Sequence, residues 1–195
     1  MGGRPTELDP NAEGVGPTAG GWDFSITLTP STLANMTPTP VRCLILACGN
    51  TLRSDDGVGP WLAEWADETF SADLGVRILI RQQWTPELAE DIAQAQSVLF
   101  VDCSVEAPPG TVQLREARPA PPKEGLATHH LGAPELLAFA HELYASLPKR
   151  SMLLTIGAGS TELGEVFSDA VIDALPEACR LIEETVLRML EVPGS

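Results

Sequence analysis

From Val41 onward, apolar runs alternate with amphipathic segments, and this alternation predicts strands and helices in turn. The segments RCLILACG, SVLFVDCS and SMLLTIGAG are nearly continuous apolar runs, which are typical of strands buried on both faces of a sheet. VRILIRQQ predicts a further strand, and the alternating segment GTVQLRE predicts an exposed or edge strand. These five segments therefore predict five strands, which are enough for one sheet.

The segments between these strands have the spacing of amphipathic helices. Gly57 to Thr69 places Val58, Trp61, Leu62 and Trp65 on one helical stripe. PELAEDIAQA predicts a second helix, with Pro86 at its first position and Thr85 as its cap. Two more helices are predicted for THHLGAPELLAFAHELYASL and for Ser168 to Leu190. Strands that alternate with helices predict an α/β fold, with a mainly parallel twisted sheet and helices on both of its faces.

Residues 1–40 differ from the rest of the chain. MGGRPTELDPNAEGVGPTAGG is rich in Gly, Pro, Thr and Asn and has neither the period of a strand nor that of a helix. Such a segment buries too little apolar surface to offset the entropy lost on ordering. We therefore predict a disordered or loosely attached extension over residues 1–40 and one folded domain over 41–195, with Met36 as an alternative start of translation.

Charge and cysteine usage narrow the class of protein. The 195 residues carry a formal net charge of −15, which would repel nucleic acid and anionic membrane surfaces. No apolar run approaches the roughly 18 residues of a membrane span, and the start of the chain lacks the features of a signal peptide. The four cysteines form no CxxC pair and are expected to be reduced and mostly buried. We expect a cytoplasmic protein, and a monomer.

Polar residues that carry chemistry follow the ends of the predicted strands. Asp55 and Asp56 come after the first strand, Asp102 ends the third, and His129 with His130 follows the fourth. Ligands of such sheets bind beyond the carboxyl ends of the strands, so these side chains are able to meet at one edge. One imidazole and two carboxylates suit a borderline divalent metal ion with coordination positions left open.

Structural interpretations of the same residues stay open at this point. Asp55 or Asp56 is a suitable N-cap for the helix that follows, Asp102 is a suitable cap for a turn, and a histidine before a helix is often a cap or surface residue. The glycine pattern of ACGNTLRSDDGVG is neither GxGxxG nor a P-loop. No GxSxG, HExxH or adjacent Cys and His is present, so a serine, cysteine or resident zinc hydrolase is not indicated.

The motif LILACGNTLRSDDGVG resembles the N-terminal signature of the nickel–iron hydrogenase maturation proteases, in which a strand leads into G-x-G-N and then an acidic pair before glycine. The resemblance extends through QQWTPELAEDI, VLFVDCSVEAPPGTV, THHLGAPELLAFA and TIGAGSTELGEVFSDAV, in the order and spacing of that family, over roughly residues 41–190. It implies a three-layer α/β/α sandwich. It also implies an endopeptidase that removes a C-terminal extension from the hydrogenase large-subunit precursor after nickel insertion.

The resemblance also implies roles for individual residues. The three metal-contacting positions of the family fall on Asp56, Asp102 and His129, and His129 is preferred to His130 because of its spacing to Leu131. The first position is commonly glutamate in the family, and Ala47 stands where the first glycine is usual. We expect the catalytic set to be Asp55, Asp56 and Asp102, with Asp102 or Asp55 as the general base.

The nickel ion is expected to be carried by the substrate and bound only transiently, with no tightly held metal in the free protein. The expected partner is the large-subunit precursor. Two alternatives are weighed against this function: a non-catalytic nickel-binding chaperone or checkpoint module, and a small-molecule hydrolase or nucleotide-binding protein of similar architecture. The second alternative requires a phosphate-binding loop or a nucleophile elbow, and the sequence has neither.

Overall fold

The computed structural model describes residues 41–70, 74–121 and 131–191. The predictions made for residues 1–40, for His129 and for His130 lie outside the described residues. The described elements, in chain order, are β1 (Cys43–Cys48), α1 (Val58–Thr69), β2 (Val76–Arg81), α2 (Leu88–Gln94), β3 (Ser97–Ser104), β4 (Val112–Glu116), α3 (Ala133–Tyr144), β5 (Arg150–Gly157) and α4 (Asp169–Leu190), with a 3-10 turn at Ser54–Gly57 before α1.

The five strands form one sheet in the order β2-β1-β3-β5-β4. The pairs of β1 with β2, β1 with β3, and β3 with β5 are parallel, whereas β4 pairs antiparallel with β5 at the edge. β1 is completely buried, as expected for a central strand of such a sheet. The prediction of a mainly parallel sheet with GTVQLRE as an edge strand is therefore confirmed.

Helices cover both faces of the sheet, and the side chains of each strand alternate between the two layers. On one face α1 and α4 pack over Ile45, Leu99 and Val101. On the other face α2 and α3 pack over residues that include Leu44 and Phe100. The described fold is the three-layer α/β/α sandwich predicted from the sequence. No helix among the described residues is long and apolar enough to cross a membrane.

Two local predictions about the helices were wrong. The buried stripe of α1 contains Val58 and Leu62 but not Trp61, which is 38% exposed. The helix after β2 begins at Leu88 instead of Pro86, because the Leu88 amide bonds the carbonyl of Thr85 and closes a separate turn first. In the first case neighbouring elements decide which face of α1 is covered, and this information is absent from the period.

The turn after β1 requires glycine at Gly49. Its φ is +145°, a conformation that L side chains rarely adopt, and a Cβ added there would lie 1.9 Å from the backbone oxygen of Asp56. Gly59 is also close-packed, since a Cβ there would lie 2.1 Å from the backbone oxygen of Cys48. These contacts fold the turn back onto the end of β1, so Asp55 and Asp56 lie at the carboxyl edge of the sheet.

Candidate functional site

Three carboxylates meet at the carboxyl edge of the sheet. Asp55 and Asp56 lie in the 3-10 turn after β1, and Asp102 lies near the end of β3, the strand beside β1. The prediction that these residues share one edge is confirmed for the three aspartates. Their surroundings differ sharply, and the differences separate their roles.

Asp55 is fully buried and accepts four hydrogen bonds. The amides of Gly159 and Ser160 and the hydroxyl of Ser168 donate to Oδ2 at 2.7, 2.9 and 2.7 Å, and the Ser168 amide donates to Oδ1 at 2.7 Å. Burial alone would raise the pKa of Asp55, but the hydrogen bonds from Ser168, Ser160 and Gly159 outweigh it and lower this pKa. Asp55 therefore ties the turn after β1 to the segment that precedes α4.

Asp56 is half-buried and faces an open cleft. Its Oδ2 accepts a hydrogen bond of 2.9 Å from the Asn50 amide, and Oδ1 has no partner among the described residues. The alternative that an aspartate caps the next helix is wrong, because Gly57 is the N-cap of α1 and no side chain bonds its first turn. The cleft measures about 710 Å³ and is lined by Asn50, Arg53, Asp56, Arg81, Gln82, Gln83, Thr85, Val105 and Thr161.

Asp102 is half-buried and has two described donors. The Trp84 indole Nε1 donates to Oδ2 at 3.1 Å, and the Cys103 amide donates to Oδ1 at 2.8 Å. The pKa of Asp102 is raised to about 6, mainly by burial and to a smaller extent by the negative charge of Asp56, and the two hydrogen bonds only partly oppose this shift. The charges of Asp56 and Asp102 therefore act on each other across the edge of the sheet.

The thiol of Cys48 experiences the charges of both aspartates. Burial, together with the charges of Asp102 and then Asp56, raises its pKa to about 12. A thiol with such a pKa is protonated at neutral pH and is a poor nucleophile. All four cysteines are free; Cys43 and Cys48 are buried as predicted, whereas Cys103 and Cys179 are only half-buried.

Trp84 is a residue of this site that the sequence patterns did not indicate. Its ring is buried and packs edge-to-face on Phe100 at a centroid distance of 5.8 Å, which aims the indole N–H at Asp102. The sequence does contain a feature that could have indicated Trp84. A tryptophan directly after a predicted strand brings one hydrogen-bond donor to the carboxyl edge of the sheet.

Within the described ranges, no three His, Cys, Asp or Glu side chains come together as a metal-binding group. The third predicted ligand, His129, lies outside those ranges, so the complete ligand set stays a prediction. The two predicted ligands that are described, Asp56 and Asp102, offer oxygen atoms, which suit a hard or borderline divalent ion.

Comparison with solved structures identifies similar folds. The chain resembles the hydrogenase maturating endopeptidase HybD from E. coli, with 23% identity and a TM-score of 0.62 over 75% of this chain and 93% of that one. It also resembles the [NiFe] hydrogenase maturation protease HycI from Thermococcus kodakarensis, with 25% identity and a TM-score of 0.56 over 78% and 94% of the two chains. A hydrogenase 2 maturation peptidase from a Thaumarchaeota archaeon shares 26% identity and a TM-score of 0.54, over 74% and 97%.

No protein-family model matches the chain, and no curated protein does. The structural likeness nevertheless covers nearly the whole length of each of these peptidases and agrees with the motifs of the sequence. The prediction of family resemblance is confirmed, and this chain is a structural homologue of the hydrogenase maturation endopeptidases, which are peptidases.

Proposed function

We propose that this protein removes a C-terminal extension from the large-subunit precursor of a nickel–iron hydrogenase after nickel has been inserted. The observation that carries the proposal is that Asp56, which lines an open cleft, lies at the same edge of the sheet as Asp102 and acts on its charge, in a fold shared with hydrogenase maturation peptidases. A cleft of about 710 Å³ falls within the roughly 300–1,000 Å³ of ordinary ligand pockets and is larger than a single ion requires.

Asp56, Asp102 and His129 would approach the nickel ion of the precursor. Asp56 has an oxygen without a described partner, and the oxygens of Asp102 are fixed in direction by Trp84 and Cys103. The ion belongs to the substrate in this scheme. Its recognition positions the peptide bond to be cleaved against the carboxylates.

Asp102 is the better candidate for the general base, and Asp55 is a positioning residue. Both oxygens of Asp55 are already used by four hydrogen bonds, and its side chain is fully buried. Asp102 is half-buried and able to take a proton from water. The hydroxide attacks the carbonyl carbon, the C–N bond breaks, and the proton passes to the leaving amine.

An ion carried by the substrate makes cleavage conditional on maturation. Its ligation to Asp56 and Asp102 adds binding energy only when the precursor holds nickel, so the metal-free form binds more weakly. Without the cation, the negative charges of the two aspartates meet no opposite charge in the precursor, and this loss of attraction supplies the discrimination.

The test is a mobility-shift assay on the large-subunit precursor, with and without prior nickel loading. The wild-type protein should shorten the nickel-loaded precursor and spare the metal-free form. Asp102→Ala should abolish shortening, while Glu142→Ala, an exposed acid of α3, should leave it unchanged. Equal cleavage of both forms would exclude nickel gating, and nickel-dependent binding without cleavage would indicate a chaperone.

A further inference from the structure

Two arginines on the wall of the Asp56 cleft form no ion pair with any residue that the structure describes. They are Arg53 and Arg81. Four other arginines of the described ranges pair with carboxylates, namely Arg77, Arg118, Arg180 and Arg188, whereas Arg42, Arg115 and Arg150 do not. Arg53 and Arg81 differ from those three unpaired arginines because both line the same cleft. Two guanidinium groups on one cleft wall favour an external anion as their partner.

The backbone at both arginines is held in place. The Arg53 amide bonds the carbonyl of Asn50, and Arg53 also forms a bridge with Gly164. Arg81 ends β2, and its carbonyl accepts a hydrogen bond of 3.0 Å from the Gly49 amide. The backbone of both residues is therefore fixed before a ligand binds, and only side-chain entropy is lost on binding.

The guanidinium groups retain donors. Arg53 uses Nε to bond the carbonyl of Thr161 at 3.2 Å, and its terminal nitrogens have no partner in the described part of the chain. Arg81 uses Nη1 to bond the carbonyl of Ile80 at 2.8 Å, and its remaining nitrogens have no described partner. A guanidinium with free N–H groups is suited to a planar, bidentate anion such as a carboxylate.

The charge of the cleft differs in sign from that of the chain. Its lining contains two arginines and one acid, Asp56, which sum to +1, whereas the whole chain carries −15. Three amide side chains share the wall, those of Asn50, Gln82 and Gln83. Amides are able to pair with the backbone of an extended peptide, so the lining suits a peptide that bears a negative charge.

We propose that Arg53 and Arg81 form an anion subsite for a carboxylate in the C-terminal extension of the substrate. This inference rests on the proposed function and adds one feature of the substrate. The carboxylate belongs either to an acidic side chain of the extension or to its free C-terminus. Asp56 lies in the same cleft. In this arrangement the arginines bind the anion of the extension, and Asp56 faces the cation carried by the precursor.

The first experiment measures processing of the nickel-loaded precursor by the double variant Arg53→Gln with Arg81→Gln. Its KM should rise about tenfold while kcat changes little, because a ground-state contact is lost. The control is Arg115→Gln, an exposed arginine of β4 that does not line the cleft. An unchanged KM in a double variant with the melting temperature of wild type would overturn the subsite. No processing by the wild type would instead refute the proposed function.

The second experiment measures binding of a fluorescein-labelled synthetic peptide of the extension by anisotropy. Three peptides are compared: the native sequence, the same sequence with an amidated C-terminus, and the same sequence with Asn and Gln in place of Asp and Glu. About tenfold weaker binding of the amidated peptide would identify the free C-terminus as the carboxylate, and the same loss in the Asn and Gln peptide would identify an acidic side chain. The affinity for the native peptide should fall with salt and in the double variant. Equal binding of all three peptides, or no binding by the wild type, would overturn the inference.

Discussion

The indole N–H of Trp84 donates a hydrogen bond of 3.1 Å to Oδ2 of Asp102. This contact joins the loop after β2 to the end of β3, two strands that lie on opposite sides of β1. Trp84 is held by its packing on Phe100, so the direction of the Asp102 carboxylate is decided by a buried ring. Activity should therefore respond to a change that leaves all three aspartates in place.

Trp84→Phe should retain an aromatic ring against Phe100 but remove the donor to Asp102. A hydrogen bond to a charged group contributes about 1.5–3 kcal/mol, so we expect processing of the nickel-loaded precursor to slow by roughly 10- to 100-fold. Trp65→Phe is the matched control, because the Trp65 indole N–H has no partner among residues that the structure describes. Equal rates for the two variants would show that the Trp84 donor is dispensable.

Asp102 should make the stability of the metal-free protein depend on pH. Its carboxyl pKa is raised from 3.8 to about 6 on folding, mainly by burial. A group with a raised pKa contributes stability below its unfolded pKa, and the contribution is lost as pH rises through the folded value. Stability should therefore fall from about pH 4 to about pH 7, and the part of this loss that lies above about pH 5 is measured between about pH 5 and about pH 7.5.

This prediction is checked by urea unfolding of wild type and Asp102→Asn with a chelator present. The difference in their free energies of unfolding should change by about 1 kcal/mol over that range, after allowance for partial exposure of the carboxylate. Both pH values lie above the isoelectric point of about 4.4, where the chain keeps its negative charge. If the difference in unfolding free energy between the two proteins did not change with pH, the pKa of Asp102 would be the same in the folded and unfolded states, which would contradict the prediction.

Asp55→Asn should destabilise the fold by about 3 kcal/mol. The new amide NH2 group would face N–H and O–H groups whose hydrogen bonds the carboxylate oxygens now accept. Ser168→Ala removes only the hydroxyl donor of the set and should cost about 1 kcal/mol. Asp56→Asn is the control: the one described hydrogen bond of Asp56, from the Asn50 amide, survives in the asparagine. Free energies from urea unfolding rank the three variants, and equal losses at Asp55 and Asp56 would contradict the structural role of Asp55.

His129→Ala should abolish processing, whereas His130→Ala should reduce it little. The expectation follows from the family resemblance, in which the ligand histidine precedes an apolar residue by two positions, as His129 precedes Leu131. The two variants differ at adjacent positions, so each serves as the control of the other in the mobility-shift assay. An inactive His130 variant beside an active His129 variant would reassign the ligand.

The sequence by itself determined the class of fold and the location of the site. The apolar runs around Leu44 and Phe100 predicted buried parallel strands, and their carboxyl ends placed Asp55, Asp56 and Asp102 at one edge. These inferences succeed because hydrophobic periodicity and strand direction are local properties of the chain. The motifs also predicted the resemblance to hydrogenase maturation proteases, which the structural comparisons confirmed.

Only the tertiary structure separated the roles of the adjacent acids Asp55 and Asp56. Their sequence context is nearly the same, but Asp55 meets donors from Gly159 and Ser168, more than 100 residues away along the chain. The same holds for Trp84, whose bond to Asp102 depends on the order of the strands and on a packed neighbour. Hydrogen bonding and burial decide what a carboxylate does, and both come from contacts between distant segments that no local pattern contains.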